Sequence, residues 1–261
     1  MSTPSTAGRI LAVTSGKGGV GKTFISANLA AALAERGERV LVLDADLGLA
    51  NLDVVLNLSP TVTLHDVFTG KATLEQAIVL APGGFSVLLA GSGLVEYSRL
   101  TPQVRDQLAE VILQLTPRFD RILLDTGAGI SDVVLHAVSL ADEVLVIVTP
   151  EPTSMTDAYA MIKVLATLQK RRHIRLIVNQ VSAVGEGRTI RNQLQLVVDR
   201  FVAPQLKAEG DPVPLMLELA GEIPIDPLVR EAVSKRSLLL AIAPGAPAAR
   251  AINAAAARMA G

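Results

Sequence analysis

The run Gly16-Lys17-Gly18-Gly19-Val20-Gly21-Lys22-Thr23 constrains this chain more than any other stretch. It has the spacing G-x-x-x-x-G-K-T and stands between an apolar segment, Arg9 to Thr14, and a segment with Ile25, Leu29, Ala32 and Leu33 at helical spacing. A strand, a glycine-rich turn and a helix in that order let backbone N–H groups wrap phosphate oxygens at the helix N-terminus. Gly18, Gly19, Val20, Gly21, Lys22, Thr23 and Phe24 are therefore expected to cradle a nucleotide. Lys22 would reach the β/γ oxygens, and the Thr23 hydroxyl would face Mg²⁺. Such a loop needs one lysine, yet this one carries a second, Lys17, which taken alone also reads as a solvated loop cation.

Apolar runs at 10–14, 39–43, 85–89, 121–124, 143–148, 174–178 and 215–223 alternate with helical patterns at 23–36, 102–116, 131–140, 154–170, 188–203 and 226–235. Strands apolar on both sides are covered by helices on both faces, which predicts an α/β fold with a doubly wound, mostly parallel sheet. Half of the 261 residues are apolar, enough for one large core. The Gly/Pro-rich 81–93 stretch and the Pro-rich 204–214 connection are too short to divide it. A single domain over 9–261 is expected, after a disordered tail over 1–8. A formal net charge of −1 gives no general attraction to nucleic acid or anionic lipid. The absence of cysteine excludes disulfides and thiolate metal sites. His65, His136 and His173 are scattered and suggest no metal constellation. Residues 1–9 lack a signal-type apolar core and no run of about 20 apolar residues occurs, so the cytoplasm is the expected compartment.

In a doubly wound sheet, ligands sit beyond the carboxyl ends of the strands. The second apolar run leads into Asp44-Ala45-Asp46, two carboxylates that point to the same side of an extended chain. Asp46 is expected to orient an attacking water and Asp44 to stand in the outer shell of the metal. The run Arg121 to Leu124 ends in Asp125-Thr126-Gly127-Ala128-Gly129, where Asp125 would hold Mg²⁺. Gly127 and Gly129 would let that loop shift with the γ-phosphate. Asp44 and Asp125 also have a plainer reading as helix N-caps. Asn179 ends another strand-like run, and Pro224-Ile225-Asp226 precedes a helix. Both are ordinary as turn residues, and their register with the phosphate loop makes them candidates for adenine contacts.

In the form Lys-Gly-Gly-Val-Gly-Lys-Thr, a deviant Walker A loop, the chain resembles the MinD/ParA group of ATPases. That resemblance implies ATP and Mg²⁺ as ligands, hydrolysis of ATP to ADP and phosphate, and an ATP-dependent homodimer. Lys17 would reach across the dimer to the partner's nucleotide, much as an arginine finger acts in trans. Catalytic roles then fall to Lys17, Lys22 and Asp46. Metal contacts fall to Thr23, Asp44 and Asp125, and adenine contacts to Asn179, Pro224 and Asp226, the last two resembling the family's P-x-D turn. The lack of cysteine argues against the iron–sulfur-carrying relatives of this group.

Three further stretches narrow the likeness: Asp44 to Asp53, Leu64-His65-Asp66-Val67-Phe68-Thr69-Gly70, and Pro150-Glu151-Pro152-Thr153-Ser154-Met155-Thr156-Asp157-Ala158-Tyr159. They resemble the flagellar-number regulators of the FlhG/FleN type, which implies control of flagellar number or placement and flagellar assembly or regulatory proteins as partners. The alternatives are positioning of another cargo, such as a division inhibitor, chromosome or secretion apparatus, or a weakly hydrolysing adaptor. Thr153 and Ser154 are expected to cap the helix that begins there.

Residues 1–8 contain nothing like the D-Q-A-x-x-L-R segment with which members of the family stimulate the GTPase FlhF. Pro247 to Gly261 offers only Ile252 and Met259 as large apolar side chains. Burying two such groups yields about 3–5 kcal/mol, too little for lasting attachment of a monomer to a membrane. A last core-packing helix is expected there, with membrane contact weak or absent and recruitment to the membrane or cell pole left to a dimer. The basic run Lys163, Lys170, Arg171, Arg172, His173 and Arg175 reads as complementing a helix C-terminus, so DNA is not an expected partner.

Overall fold

Alternation with period 2 sorts the strand side chains onto two faces. Ile10, Ala12, Leu41, Leu43, Ile122, Leu124, Val144 and Val146 enter one buried cluster, whereas Leu11, Val13, Val40, Val42, Leu123, Leu145 and Ile147 enter another. The computed structural model describes residues 8–47, 51–91, 101–211 and 213–260. It places these two clusters on opposite sides of one eight-stranded sheet.

In chain order the elements are β1 (Arg9–Ser15), α1 (Lys22–Ala34), β2 (Val40–Ala45), α2 (Leu52–Leu56), α3 (Leu64–Phe68), α4 (Leu74–Ala77), β3 (Ile78–Leu80) and β4 (Ser86–Leu88). Then come α5 (Pro102–Leu115), β5 (Arg121–Ala128), α6 (Asp132–Ser139), β6 (Glu143–Val148), α7 (Pro152–Leu168), β7 (His173–Val181), α8 (Glu186–Phe201), α9 (Ala203–Ala208), β8 (Met216–Pro224), α10 (Pro227–Ser234), α11 (Leu239–Ile242) and α12 (Pro247–Met259). The strand order is β3-β4-β2-β5-β1-β6-β7-β8, parallel throughout except for the antiparallel pair β3 and β4. The chain leaves β1 towards β2 on one side and later reaches β6 on the other, so the loop after β1 opens at the crevice where strand order reverses.

The expected α/β architecture is the one observed, and the differences are local. β3 has no counterpart among the expected runs, being three residues at the sheet edge. The strand expected over 121–124 continues through Asp125 to Ala128, which removes Asp125 from a helix-cap role. Gly8, expected in the tail, is buried and donates its N–H to Thr116 O at 3.0 Å. A Cβ there would lie 2.1 Å from Phe119 O. The rest of the expected tail, residues 1–7, lies outside the described residues, as do Gly48, Leu49 and Ala50 of the Asp44 to Asp53 motif.

The C-terminal segment is the expected core helix. Ile252 and Met259 are buried on α12, and Ala255 packs so closely on β8 that a Cβ on Gly221 would come within 3.0 Å of its own. Arg121, buried at the start of β5, bonds Glu38 Oε2 at 2.8 Å and donates to Met259 O at 2.9 Å, which ties the end of α12 to the sheet. Among the described residues no helix is long and apolar enough to cross a membrane.

Candidate functional site

Gly21, directly before α1, has φ 91, a left-handed value that glycine adopts without strain. A side chain there would also strike Asn179 Nδ2 at 2.6 Å. Gly16 is required for a different reason: a Cβ would lie 2.1 Å from Asp157 O, so the start of the loop rests against the backbone of α7. The loop thus wraps the N-terminus of α1, where unpaired N–H groups and the helix dipole favour a phosphate.

A cleft of about 770 Å³ opens beyond β1, β2 and β5. Gly18, Gly19, Gly21, Lys22, Thr23 and Phe24 line it from the loop side, and Asp44, Asp46, Asp125 and Gly127 from the sheet side. Asp44 and Asp125 are register partners on the adjacent parallel strands β2 and β5, and both are buried. Asp44 accepts from Asp46 N at 3.1 Å and from Leu52 N at 3.4 Å. Burial, reinforced by the charge of Asp125, nonetheless pushes its carboxyl up to about 8. Burial also raises Asp125, against the opposing pull of Lys22 and hydrogen bonds from the Thr23 and Ser26 hydroxyls. Gly127 leaves room for Asp46, since a Cβ would lie 3.4 Å from Asp46 Cγ.

Two buried carboxylates side by side, with the Thr23 hydroxyl beside them and an open cleft in front, form an all-oxygen set short of positive charge. That set fits Mg²⁺, which keeps several waters and shares phosphate oxygens. No cluster of three or more His, Cys, Asp or Glu among the described residues forms an all-protein cage.

Lys17 stands apart from Lys22. Its Nζ donates to Glu151 Oε2 at 2.6 Å and to Thr153 Oγ1 at 2.8 Å, both at the start of α7. This corrects the expected capping: α7 begins at Pro152 after Glu151, with no side-chain cap, and the Thr153 hydroxyl is turned to Lys17. Ser154 Oγ accepts from Thr149 N at 3.0 Å, bracing the β6–α7 turn.

The expected adenine contacts lie outside the cleft formed by Lys22 and Asp125. Asn179 Nδ2 donates to Val20 O at 2.8 Å and so supports the phosphate loop from β7. Asp226 caps α10 through Leu228 N at 3.0 Å, and its other oxygen accepts from Ala248 N at 3.1 Å, at the start of α12. Pro224 ends β8 next to this turn.

The three arginines of the basic run are bound up within the fold. Arg171 donates to Val138 O at 3.0 Å, Arg172 pairs with Asp211 at 2.5 Å, and Arg175 pairs with Glu143 and Glu218. Two residues to which the sequence assigned no role complete the site: Glu151, which lies within the Pro150 to Tyr159 motif and is the partner of Lys17, and Ser26, whose Oγ donates to Asp125 Oδ1 at 2.8 Å.

A domain model described as an AAA domain matches residues 8–178, from the first strand through the phosphate loop and Asp125 to β7. The chain is 41% identical to the antiactivator FleN of Pseudomonas aeruginosa over 94% of its own length and 84% of that protein. It is 34% identical to the flagellum site-determining protein YlxH of Helicobacter pylori over 90% of this chain and 76% of that one. The structure of the septum site-determining protein MinD of Pyrococcus horikoshii complexed with Mg-ADP superposes with a TM-score of 0.71 and 30% identity, covering 96% of this chain and 95% of that one. Loop, strand-end carboxylates, strand order and these likenesses agree: the chain belongs to the MinD/ParA family of P-loop ATPases, in the group of the FlhG/FleN flagellar regulators.

Proposed function

We propose that this chain is a Mg²⁺-dependent ATPase switch that dimerises when ATP is bound and regulates flagellar number or placement. The carrying observation is the division of labour between the two lysines of one loop. Lys22 faces the cleft and acts on Asp125, whereas Lys17 is turned outwards to Glu151 and Thr153. A cation on the rim of a phosphate site is placed to serve a nucleotide other than its own. The flagellar part of the reading is supported by the likeness to FleN and YlxH along most of the chain.

The chain's own groups divide the work as follows. Backbone N–H groups of the loop and the α1 N-terminus hold the β-phosphate, and Lys22 neutralises the β/γ oxygens. Thr23, Asp125 and, through water, Asp44 would hold Mg²⁺, which when bound stabilises charge on the transferred phosphoryl group. Asp46, at the mouth of the cleft beside Gly127, orients the attacking water. Lys17 leaves Glu151 and Thr153 and meets the partner's γ-phosphate. Dimerisation thereby supplies the last positive charge that the transferred group needs. With a carboxylate as the water-orienting group, turnover is slow until a partner accelerates it. Asn179 and the Pro224–Asp226 turn lie beyond this cleft, so they would flank the adenine only if the base extends past it towards β7 and β8, with Asp226 holding the turn through its two backbone bonds.

Light scattering of the purified chain with and without a non-hydrolysable ATP analogue and Mg²⁺ tests the switch. A dimer that forms only with the triphosphate is expected. Flagellar counts in a deletion strain test the cellular role, and an unchanged count would remove it while leaving the switch standing.

A further inference from the structure

Ser26 is fully buried on α1, three residues after Thr23, so the two hydroxyls share the helix face that looks at β5. A helical serine commonly bonds back to its own backbone four residues earlier. Ser26 instead donates to Asp125 Oδ1 at 2.8 Å, across 99 residues of sequence. Asp125 sits on a strand fixed on both sides by the parallel ladders to β1 and β2. The Thr23 hydroxyl also bonds this carboxylate, but Thr23 is the residue expected to turn to the metal, so Ser26 is the hydroxyl left to hold Asp125 once a metal is bound.

We propose that Ser26 is a positioning residue for the metal: its hydroxyl fixes the Asp125 carboxylate so that this group presents to the Mg²⁺ of a bound nucleotide. This rests on the Mg²⁺-ATPase reading above and adds to it a group that never touches nucleotide or metal. Partners that orient a ligating group commonly contribute about 10–100-fold to metal affinity, although they lie outside the coordination sphere.

The test is equilibrium binding of a fluorescent, non-hydrolysable ATP analogue, measured in EDTA and in excess Mg²⁺. The ratio of the two dissociation constants isolates the metal's contribution. Ser26→Ala is expected to lower that ratio by about tenfold or more while leaving binding in EDTA within about twofold, and Ser26→Thr, which keeps a hydroxyl, to restore it. Ser26→Cys keeps roughly the same shape but is a weak donor, so it should stay folded in a thermal melt and match Ser26→Ala in the ratio. A wild-type ratio in the Ala or Cys variant overturns the proposal. So does an equal loss in EDTA and in Mg²⁺, which would make Ser26 a packing residue only. A wild-type chain whose affinity ignores Mg²⁺ overturns the underlying reading, and this inference with it.

Discussion

Lys17 Nζ lies 2.6 Å from Glu151 Oε2, joining the phosphate loop to the start of α7 across 134 residues of sequence. The lysine that the dimer would use in trans is thereby held within its own subunit. Under the proposed trans role, dimerisation would have to break this contact and the bond to Thr153. The pair is partly exposed, with side-chain accessibilities of 35% and 60%, so its Coulombic share is small, about 0.2–1 kcal/mol. Glu151→Ala should therefore strengthen ATP-dependent dimerisation by about two- to fivefold without changing nucleotide affinity. Sedimentation velocity over a concentration series reads this directly, and weaker dimers would mean that Glu151 instead holds Lys17 in its productive place.

The two lysines should separate cleanly in binding and assembly. Lys22→Ala removes the fixed counter-ion of the β/γ oxygens and is expected to reduce nucleotide affinity by at least about tenfold, with hydrolysis lost. Lys17→Ala should retain the nucleotide yet fail to dimerise and turn over. A Lys17→Ala chain that still forms ATP-dependent dimers in light scattering would rule out the trans role.

The register of Asp44 with Asp125 implies a pH dependence of the nucleotide-free fold. Asp44 is raised from 3.8 to about 8 by burial first and the neighbouring charge second, so the folded protein holds a proton there that the unfolded chain has released. Its contribution to stability is fully present below about pH 4 and is lost as pH rises through about 8. In EDTA, the wild-type melting temperature should fall by several degrees between about pH 5 and pH 8 from this group alone. Asp44→Asn, neutral at every pH, should show a much flatter profile and be the more stable protein at the alkaline end. Parallel profiles for the two proteins in differential scanning calorimetry would show that Asp44 does not carry this strain.

What could be read from the sequence was what is local. The phosphate loop is contiguous, and its strand, turn and helix each leave their own period, so Lys22, Thr23 and the glycines were identifiable before any fold was known. Asp44 and Asp125 could be nominated because each ends an apolar run, although nothing local said that they would stand in register. The role of Ser26, and the pairing of Glu151 with Lys17 inside an otherwise recognisable motif, are not legible in this way. Each residue acts through a partner 99 or 134 residues distant, and neither lies at a position whose type is unusual for a helix or its start. Thr153 and Ser154 have residue types that suit capping, yet neither caps the helix. Pro152 instead opens the helix and leaves the Thr153 hydroxyl free to meet Lys17. β3 left no signal because a three-residue antiparallel edge has too few positions to show a period.

Asp46 is where binding and chemistry should part. It lines the cleft two residues beyond Asp44, with its backbone N–H on the Asp44 carboxylate at 3.1 Å and its side chain beside Gly127, at the entrance to the site. From there it can orient a water without carrying the nucleotide's charge. Asp46→Ala should keep ATP affinity within a few-fold while hydrolysis falls by about 10²-fold or more, the size expected when a group that activates water is removed. With the γ-phosphate retained, the dimer should persist, so the ATP-induced dimer peak in gel filtration should outlast that of wild type. The same chain expressed in flagellated cells should act as a locked switch and lower flagellar number. If Asp46→Ala lost nucleotide binding and Asp44→Ala lost only turnover, the two carboxylates would have exchanged roles. Normal hydrolysis in both variants would place the water elsewhere in the cleft.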